Sequence, residues 1–296
     1  MSFAVVTDTS GNLPSERIRK AGLYLIPFSY YIDEKEYSCT DSEAFDGDEF
    51  YARIKGGLAV TTSQITPQHY ADFFEPFLTG GQDVLYVSMS SGISGSCDCA
   101  RVAAGMLAED HPDRVIEVVD TKGASLGEGL VALEAARLRD RGLGVSEAAE
   151  KLRDYSSRMC NVFTVDDLMH LKRGGRLSAV KALVGSVLNL KPILITEGGK
   201  FDTFAKVRGI KACKDRIIDA LKKELETRFQ GVPHSELRLA TASTLESAED
   251  AEAWRKMVQE AFPEFEVTYD PLSCSIACHT GIGAVGAGLS RVQRAD

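Results

Sequence analysis

The stretch that most restricts the fold runs from Val84 to Leu107. An apolar run (Val84, Leu85, Val87) stops abruptly at Ser88-Met89-Ser90-Ser91-Gly92-Ile93-Ser94-Gly95-Ser96, and a helical pattern follows (Ala100, Val102, Ala103, Met106, Leu107). Such an order reads as a buried strand, a tight loop rich in hydroxyls and glycine, and a helix start. A short side-chain oxygen on Ser94 or Ser96 can accept from the first orphan amides, so either is a candidate N-cap. The remaining amides carry partial positive charge, which makes this strand end a candidate anion site. The stretch holds no Lys or Arg before Arg101. It therefore suits a small, singly charged group such as a carboxylate better than a triphosphate.

The same strand-to-helix order recurs along the first half of the chain. Phe3 to Thr7 is a short apolar strand ending at Asp8-Thr9-Ser10-Gly11-Asn12, and Pro14 opens a helix to about Ala21. Leu23 to Ile32 reads as one strand, with Tyr37 to Thr40 pairing back across Asp33-Glu34-Lys35, and Phe45 to Lys55 reads as a helix. Thr66 caps and Pro67 opens a helix whose apolar stripe is Tyr70, Phe73, Phe74 and Phe77, read as core rather than ligand wall. Val115 to Val119 is a further strand before Asp120-Thr121, and Gly127 to Arg141 is a long alanine-rich helix. Strands alternating with helices predict a mainly parallel sheet with helices on both faces. Ligands bind such sheets beyond the carboxyl ends of the strands. Four hydroxyl-rich loops fall there, and together they are expected to line a common rim: Asp8-Thr9-Ser10, Thr61-Thr62-Ser63, Ser90 to Ser96, and Asp120-Thr121.

A second region begins near Asn161. Val162 to Val165 reads as a strand, followed by a short helix through Leu168 and Leu171, the run Lys172-Arg173-Gly174-Gly175-Arg176, and a helix capped by Ser178. Two strand-like runs between Lys191 and Arg208 flank Gly198-Gly199, a hairpin signal. Further helices (Ile210 to Phe229, Ala248 to Ala261) alternate with strands (Leu237 to Ala242, Phe265 to Asp270), and the run Gly281 to Leu289 follows. The expected architecture is α/β, with a mainly parallel domain over residues 1–160 and a mixed α/β domain over residues 161–296.

Composition removes several classes of function. A formal charge of -9 over 296 residues gives no basic footprint for nucleic acid or an anionic membrane surface. No segment approaches the ~20 apolar residues of a bilayer-spanning helix, and the N-terminus lacks a basic, signal-like segment, so a cytoplasmic location is expected. The seven cysteines are an odd number without the paired spacing of a structural zinc site, which favours buried or incidental thiols. A Walker A loop is absent, and no G-x-G-x-x-G follows the first strand.

The chemistry-bearing residues leave alternatives open. Gly92-Ile93-Ser94-Gly95-Ser96 falls one residue short of a nucleophile elbow, with His279 downstream in hydrolase order but no identifiable acid between them; Asp166 and Asp270 carry no signature. Ser94 reads as a cap, an anion ligand or a nucleophile. His279, in a Gly/Ser/Thr-rich stretch, reads as a hydrogen-bonded loop residue or a polar ligand contact. Arg173 and Arg176 read as solvated or C-capping charges, or as forks for an anionic group on a ligand or partner.

Several motifs in order along the chain resemble the DegV family, whose characterised members are fatty-acid-binding B subunits of bacterial fatty acid kinase. They are Thr7-Asp8-Thr9-Ser10, Thr62-Ser63-Gln64, Ser90 to Ser96, Asp120-Thr121, Asp167-Leu168 through Arg173-Gly174-Gly175-Arg176-Leu177-Ser178, Leu188-Asn189-Leu190-Lys191-Pro192-Ile193-Leu194, and His279-Thr280-Gly281-Ile282-Gly283. The resemblance implies a two-domain α/β fold that buries a long-chain fatty acid and uses no cofactor. It implies that Thr62, Ser94 and the Gly95 amide hold the carboxylate with His279 close by. It implies further that Arg173 and Arg176 lie near the surface meeting a separate ATP-binding kinase subunit, so that this chain is not catalytic alone.

Overall fold

The computed structural model describes residues 3–38, 40, 47–176, 190–244 and 247–291. The helix expected after Ser178 and the pair Leu188-Asn189 lie outside them. The first half supplies β1 (Ala4–Asp8), α1 (Ser15–Ala21), β2 (Leu23–Ile26), β3 (Ser29–Ile32), β4 (Lys35–Ser38), α2 (Gly47–Lys55), β5 (Val60–Thr62), α3 (Pro67–Thr79), β6 (Val84–Ser88), α4 (Ser96–Asp110), β7 (Ile116–Asp120), α5 (Leu126–Asp140) and α6 (Val145–Arg158). The second supplies β8 (Cys160–Thr164), α7 (Leu168–Arg173), β9 (Lys191–Glu197), β10 (Lys200–Val207), α8 (Ile210–Glu226), β11 (Leu237–Ser243), α9 (Ala248–Ala261), β12 (Val267–Tyr269), α10 (Cys274–Thr280) and β13 (Val285–Arg291).

A parallel sheet of order β2-β1-β6-β7 forms one layer. Every residue of β1 and β6 is buried, as expected where helices cover both faces. The alternation is visible in the packing: Val5, Leu85 and Val87 join α5 and α6 on one side, while Val6, Val84 and Tyr86 join α3 and α4 on the other. Tyr70 and Phe74 of the aromatic stripe belong to that second cluster, with Phe73 and Phe77 packed at its margin. The mixed sheet has order β10-β9-β8-β13-β11-β12, and α8 and α9 cover its outer face.

Two strand readings change. The run Leu23 to Ile32 is two strands rather than one. Pro27 cannot donate to a ladder, so pairing breaks there. β2 stays in the parallel sheet, and β3 crosses into a small antiparallel sheet of order β4-β3-β5. The hairpin turn is tighter than expected: Asp33 and Glu34 both have positive φ (49° and 65°), and β4 begins at Lys35. Gly198 and Gly199 likewise turn with positive φ between β9 and β10.

Helix α5 explains its own unusual composition. It packs against β1 and β6 on one side and against β13 and β11 on the other, so it is buried on nearly its whole circumference. Small side chains permit that double contact. Gly129 lies so close to the Gly11 carbonyl that a Cβ would collide with it, and Gly288 on β13 leaves space for Leu126.

A buried polar chain fixes α5 to the end of β1. Asp8 accepts from the Ser10 amide at 2.8 Å, the Ser10 hydroxyl at 2.5 Å and the Tyr86 hydroxyl at 2.7 Å, and Tyr70 shares a 2.7 Å bond with Tyr86. Ser10 Oγ is also 2.5 Å from Glu128 Oε2. A hydroxyl has one hydrogen and cannot donate to both carboxyls. One carboxyl must carry a proton, and we assign it to Glu128, because Asp8 already accepts three donors. Burial, followed by the Asp8 charge, raises Glu128 well above the ordinary carboxylate range.

Candidate functional site

The loop after β6 is built by mutual bracing. Ser90 donates to the Gly199 carbonyl at 2.6 Å, and Gly92 approaches that carbonyl too closely for any Cβ. Ser91 donates at 2.5 Å to Asp120, which also accepts from Lys122. Burial alone would raise Asp120, but the bonds from Lys122 and Ser91 outweigh it and hold the carboxyl below its usual range. The N-cap of α4 is Gly95, not Ser94 or Ser96. Ser94 nevertheless serves the helix start: its Oγ accepts from the Ser96 amide at 3.2 Å and donates to Ser96 Oγ at 3.1 Å. Ser96 in turn accepts from the Ile65 amide, and the Gln64 side chain fills the space beside Gly95. The Thr62-Ser63-Gln64 segment and the loop after β6 therefore meet directly.

From the opposite side comes α10, a helix that its Ser- and Cys-rich sequence conceals. His279 sits in its last turn rather than in a loop. His279 Nε2 is 2.8 Å from Thr62 Oγ1, while Nδ1 is buried with no partner among the described residues. A buried unpaired acceptor is tolerated better than a buried unpaired N–H. We therefore place the ring proton on Nε2, donating to Thr62, which leaves the Thr62 hydroxyl hydrogen free for a ligand. Burial, and secondarily the Arg176 charge, push the imidazole down to about 4.

The Arg173-Gly174-Gly175-Arg176 run then acquires a reason for each residue. Gly174 abuts the His279 ring, where a Cβ would collide. Gly175 takes a positive φ of 73°, turning the chain back after α7. Arg176 donates to the Gly174 carbonyl at 2.6 Å and lines the same cavity as His279. Among the described residues it has no carboxylate partner. Burial lowers its pKa from the usual guanidinium value. Arg173 is exposed and does not line the cavity. The two arginines, expected together at a partner-facing surface, are thus separated.

Thr62, Ser94, Arg176 and His279 share the polar end of one cavity. Gly95 lies beside it and is exposed. The cavity measures about 100 Å³, and its wall is overwhelmingly apolar. It lies against the inward face of the mixed sheet. Ala242 of β11 and Gly286 of β13 are small there, and Phe163 packs edge-on against Phe201 with centroids 4.9 Å apart. Sequence reasoning missed Asn161, Phe163, Phe201 and Gly286; the alternation of glycines in Val285-Gly286-Ala287-Gly288 was the available signal. The common rim is only half realised. Asp8-Thr9-Ser10 serves the buried acid network, and Asp120-Thr121 braces the neighbouring loop.

A hydrolase triad is not formed among the described residues. Ser94 bonds to Ser96, His279 to Thr62, Asp166 to Lys191, and Asp270 to Arg17 at 3.0 Å. Nor does any group of three or more His, Cys, Asp or Glu among the described residues come together as a metal site. No helix there is long and apolar enough to cross a membrane.

His279 gives a pH prediction. The unfolded ring titrates near 6.5 and the folded ring at about 4, so between these values the unfolded state binds more protons. Stability from this group is complete above pH 6.5 and falls by about 3 kcal/mol as pH drops through 4. Asp270, raised by burial to about 6, contributes the opposite slope. Urea unfolding of wild type and His279→Gln at pH 7 and 4.5 separates them: the variant should lose less stability on acidification, and equal losses would refute the assignment.

A family model for uncharacterised proteins of the DegV family matches residues 2–292. A DegV domain-containing protein of Clostridium perfringens is 31% identical over 96% of this chain and 95% of its own length. One from Lactococcus lactis is 33% identical over 99% and 100%. Among solved structures, a stearic-acid-binding protein of Eubacterium ventriosum is 26% identical, with a TM-score of 0.86 and 98% of both chains covered. The fatty-acid-binding protein DegV of Bacillus subtilis is 28% identical, with a TM-score of 0.84 over 98% of this chain and 99% of that one.

Proposed function

The chain belongs to the DegV family, and on that premise we propose that it binds a long-chain fatty acid and presents the carboxylate to a separate ATP-binding fatty acid kinase subunit. The observation that carries this reading is the cavity itself: an apolar channel whose polar end holds Arg176 without a carboxylate partner among the described residues. A half-buried guanidinium that lacks an anion among the described residues is matched by one supplied by a ligand. In this reading Thr62 donates its free hydroxyl hydrogen to the carboxylate, Ser94 turns its hydrogen from Ser96 Oγ to the carboxylate when the acid binds, the Gly95 amide and the α4 N-terminus add partial charge, and His279 orients Thr62.

Tail burial sets the affinity. About 15 methylenes at ~0.8 kcal/mol each give on the order of 12 kcal/mol, offset in good part by the cost of association and ordering. The polar end contributes less energy but fixes which end of the acid faces outward. Arg173, exposed three residues before the cavity-lining Arg176, is the residue we assign to the kinase-facing surface. No chemistry on the acid requires a nucleophile from this chain, so it acts as a carrier within a cytoplasmic reaction catalysed by its partner, with domains divided near residue 160.

Native mass spectrometry of the purified protein should show a co-purified fatty acid, or a mass increase on adding palmitate or oleate. A clean apo mass in both cases refutes binding, and acid binding without acyl-phosphate formation alongside ATP and the cognate kinase subunit refutes the carrier role. Ser94→Ala removes a hydrogen bond to the carboxylate whose gain is partly offset by the Ser94–Ser96 bond given up on binding, a net of about 1 kcal/mol, so fatty acid affinity should fall about fivefold in a displacement titration. Unchanged affinity would remove Ser94 from the carboxylate site.

A further inference from the structure

Histidine and glycine are exchanged across the contact between α7 and α10. Gly174, just past α7, abuts the His279 ring of α10, and Gly281, just past α10, abuts the His170 ring of α7. Each segment thus lays one ring over the other's glycine, where a Cβ would collide with it. Within α7 the two contacts are one turn apart, since the Gly174 amide donates to the His170 carbonyl at 3.0 Å. Gly281 has a φ of 70°; its amide donates to Ala277 at 2.8 Å and its carbonyl accepts from Thr244 at 2.7 Å, so the seat under His170 is fixed backbone. No hydrogen bond of the His170 ring occurs among the described residues, and it holds by shape. Burial lowers the ring's pKa, with Asp167 opposing and Arg173 adding to the effect, so the ring is uncharged at pH 7.

A helix as short as α7 does not hold itself together, so packing must place it. Leu171 alone of its residues is buried, with Leu168 packed beside it. Two aliphatic contacts let a helix slide, whereas a ring seated on a glycine does not. The register of α7 matters because Arg176 follows Gly174 by two residues and donates to its carbonyl at 2.6 Å. We propose that His170 is a positioning residue for the anionic end of the ligand: seated on Gly281, it holds α7 in the register that brings Arg176 to the polar end of the cavity. His170 does not itself line that cavity, so it acts through Arg176. The inference rests on the fatty-acid reading above and adds a residue that sets affinity without touching the acid.

The test is a double-mutant cycle read as the dissociation constant for stearate in a displacement titration, with thermal unfolding in parallel. His170→Ala should raise the constant about tenfold, and His170→Phe, which keeps a flat uncharged ring, should restore it to within about twofold of wild type. In the Arg176→Ala background His170→Ala should add less than about twofold, because the group it positions is gone. A purely structural role would lower the melting temperature yet leave the two effects additive, and additive effects overturn the positioning role while leaving fatty acid binding intact. An unchanged constant for His170→Ala does the same. If that variant fails to fold, His170→Leu, which fills the seat incompletely, takes its place in the cycle. Failure of the wild type to bind stearate overturns both readings.

Discussion

Asp8→Asn is expected to cost about 3–5 kcal/mol of stability, while Glu128→Gln, a similar change one hydrogen bond away, should cost about 1 kcal/mol. The asymmetry follows from the single hydrogen on Ser10. Asp8 accepts from the Ser10 amide, the Ser10 hydroxyl and the Tyr86 hydroxyl, and an amide in its place would turn an N–H toward groups that already donate. Glu128 is neutral in the folded state, so an uncharged amide of the same shape changes little except one donor. Urea unfolding of the two variants at pH 7 measures the difference. If Glu128→Gln is the more damaging, the proton resides on Asp8. Either outcome leaves the cavity beside Thr62 and His279 untouched, because neither residue lines it.

The two arginines of the glycine run should part company in binding. Arg176→Ala removes a charge-assisted contact worth about 1.5–3 kcal/mol, so the dissociation constant for a long-chain acid should rise roughly ten- to a hundredfold. Arg173→Ala, at an exposed position outside the cavity, should change it less than about twofold, and should instead weaken turnover with a kinase subunit. Arg176→Lys keeps the charge but not the planar fork and should fall between. Displacement titrations on the three variants decide the matter. Equal effects of Arg173→Ala and Arg176→Ala would remove the distinction drawn from their placement.

Much of this arrangement was legible in the amino-acid sequence, for identifiable reasons. Most of the parallel layer announced itself because β1, β6 and β7 are each a short apolar run cut off by a hydroxyl-rich loop, and periodicity is a local signal. The Gly198-Gly199 hairpin was equally plain, since positive φ at two successive residues favours glycine. The placement of Arg176 was not legible. Arg173 and Arg176 look alike in sequence, and they are separated only by the turn at Gly175 and by the His279 ring that excludes a side chain at Gly174. Helix α10 was hidden because its apolar set, Cys274, Ala277 and Cys278, is a single i, i+3, i+4 repeat of small residues among Ser, His and Thr, too short for a period to stand out. The cavity wall escaped for another reason: Phe163 and Phe201 belong to strands distant in the chain, and β-strand alternation states that a residue has a face without stating what that face meets.

The double burial of α5 has a consequence for how the molecule holds together. A boundary near residue 160 divides the strands cleanly between the two larger sheets, yet it assigns to the first half a helix whose far side is covered by β11 and β13. Pulling the halves apart would strip that side to water and leave Leu126 and Leu130 without their partners Ala240 and Ala242. The two sheets are therefore not lobes on a hinge but two leaves bound to one spine. Admission of a ligand falls to the rim, around α7, α10 and the loop after β6, while loss of the spine would dissolve both leaves in a single cooperative event.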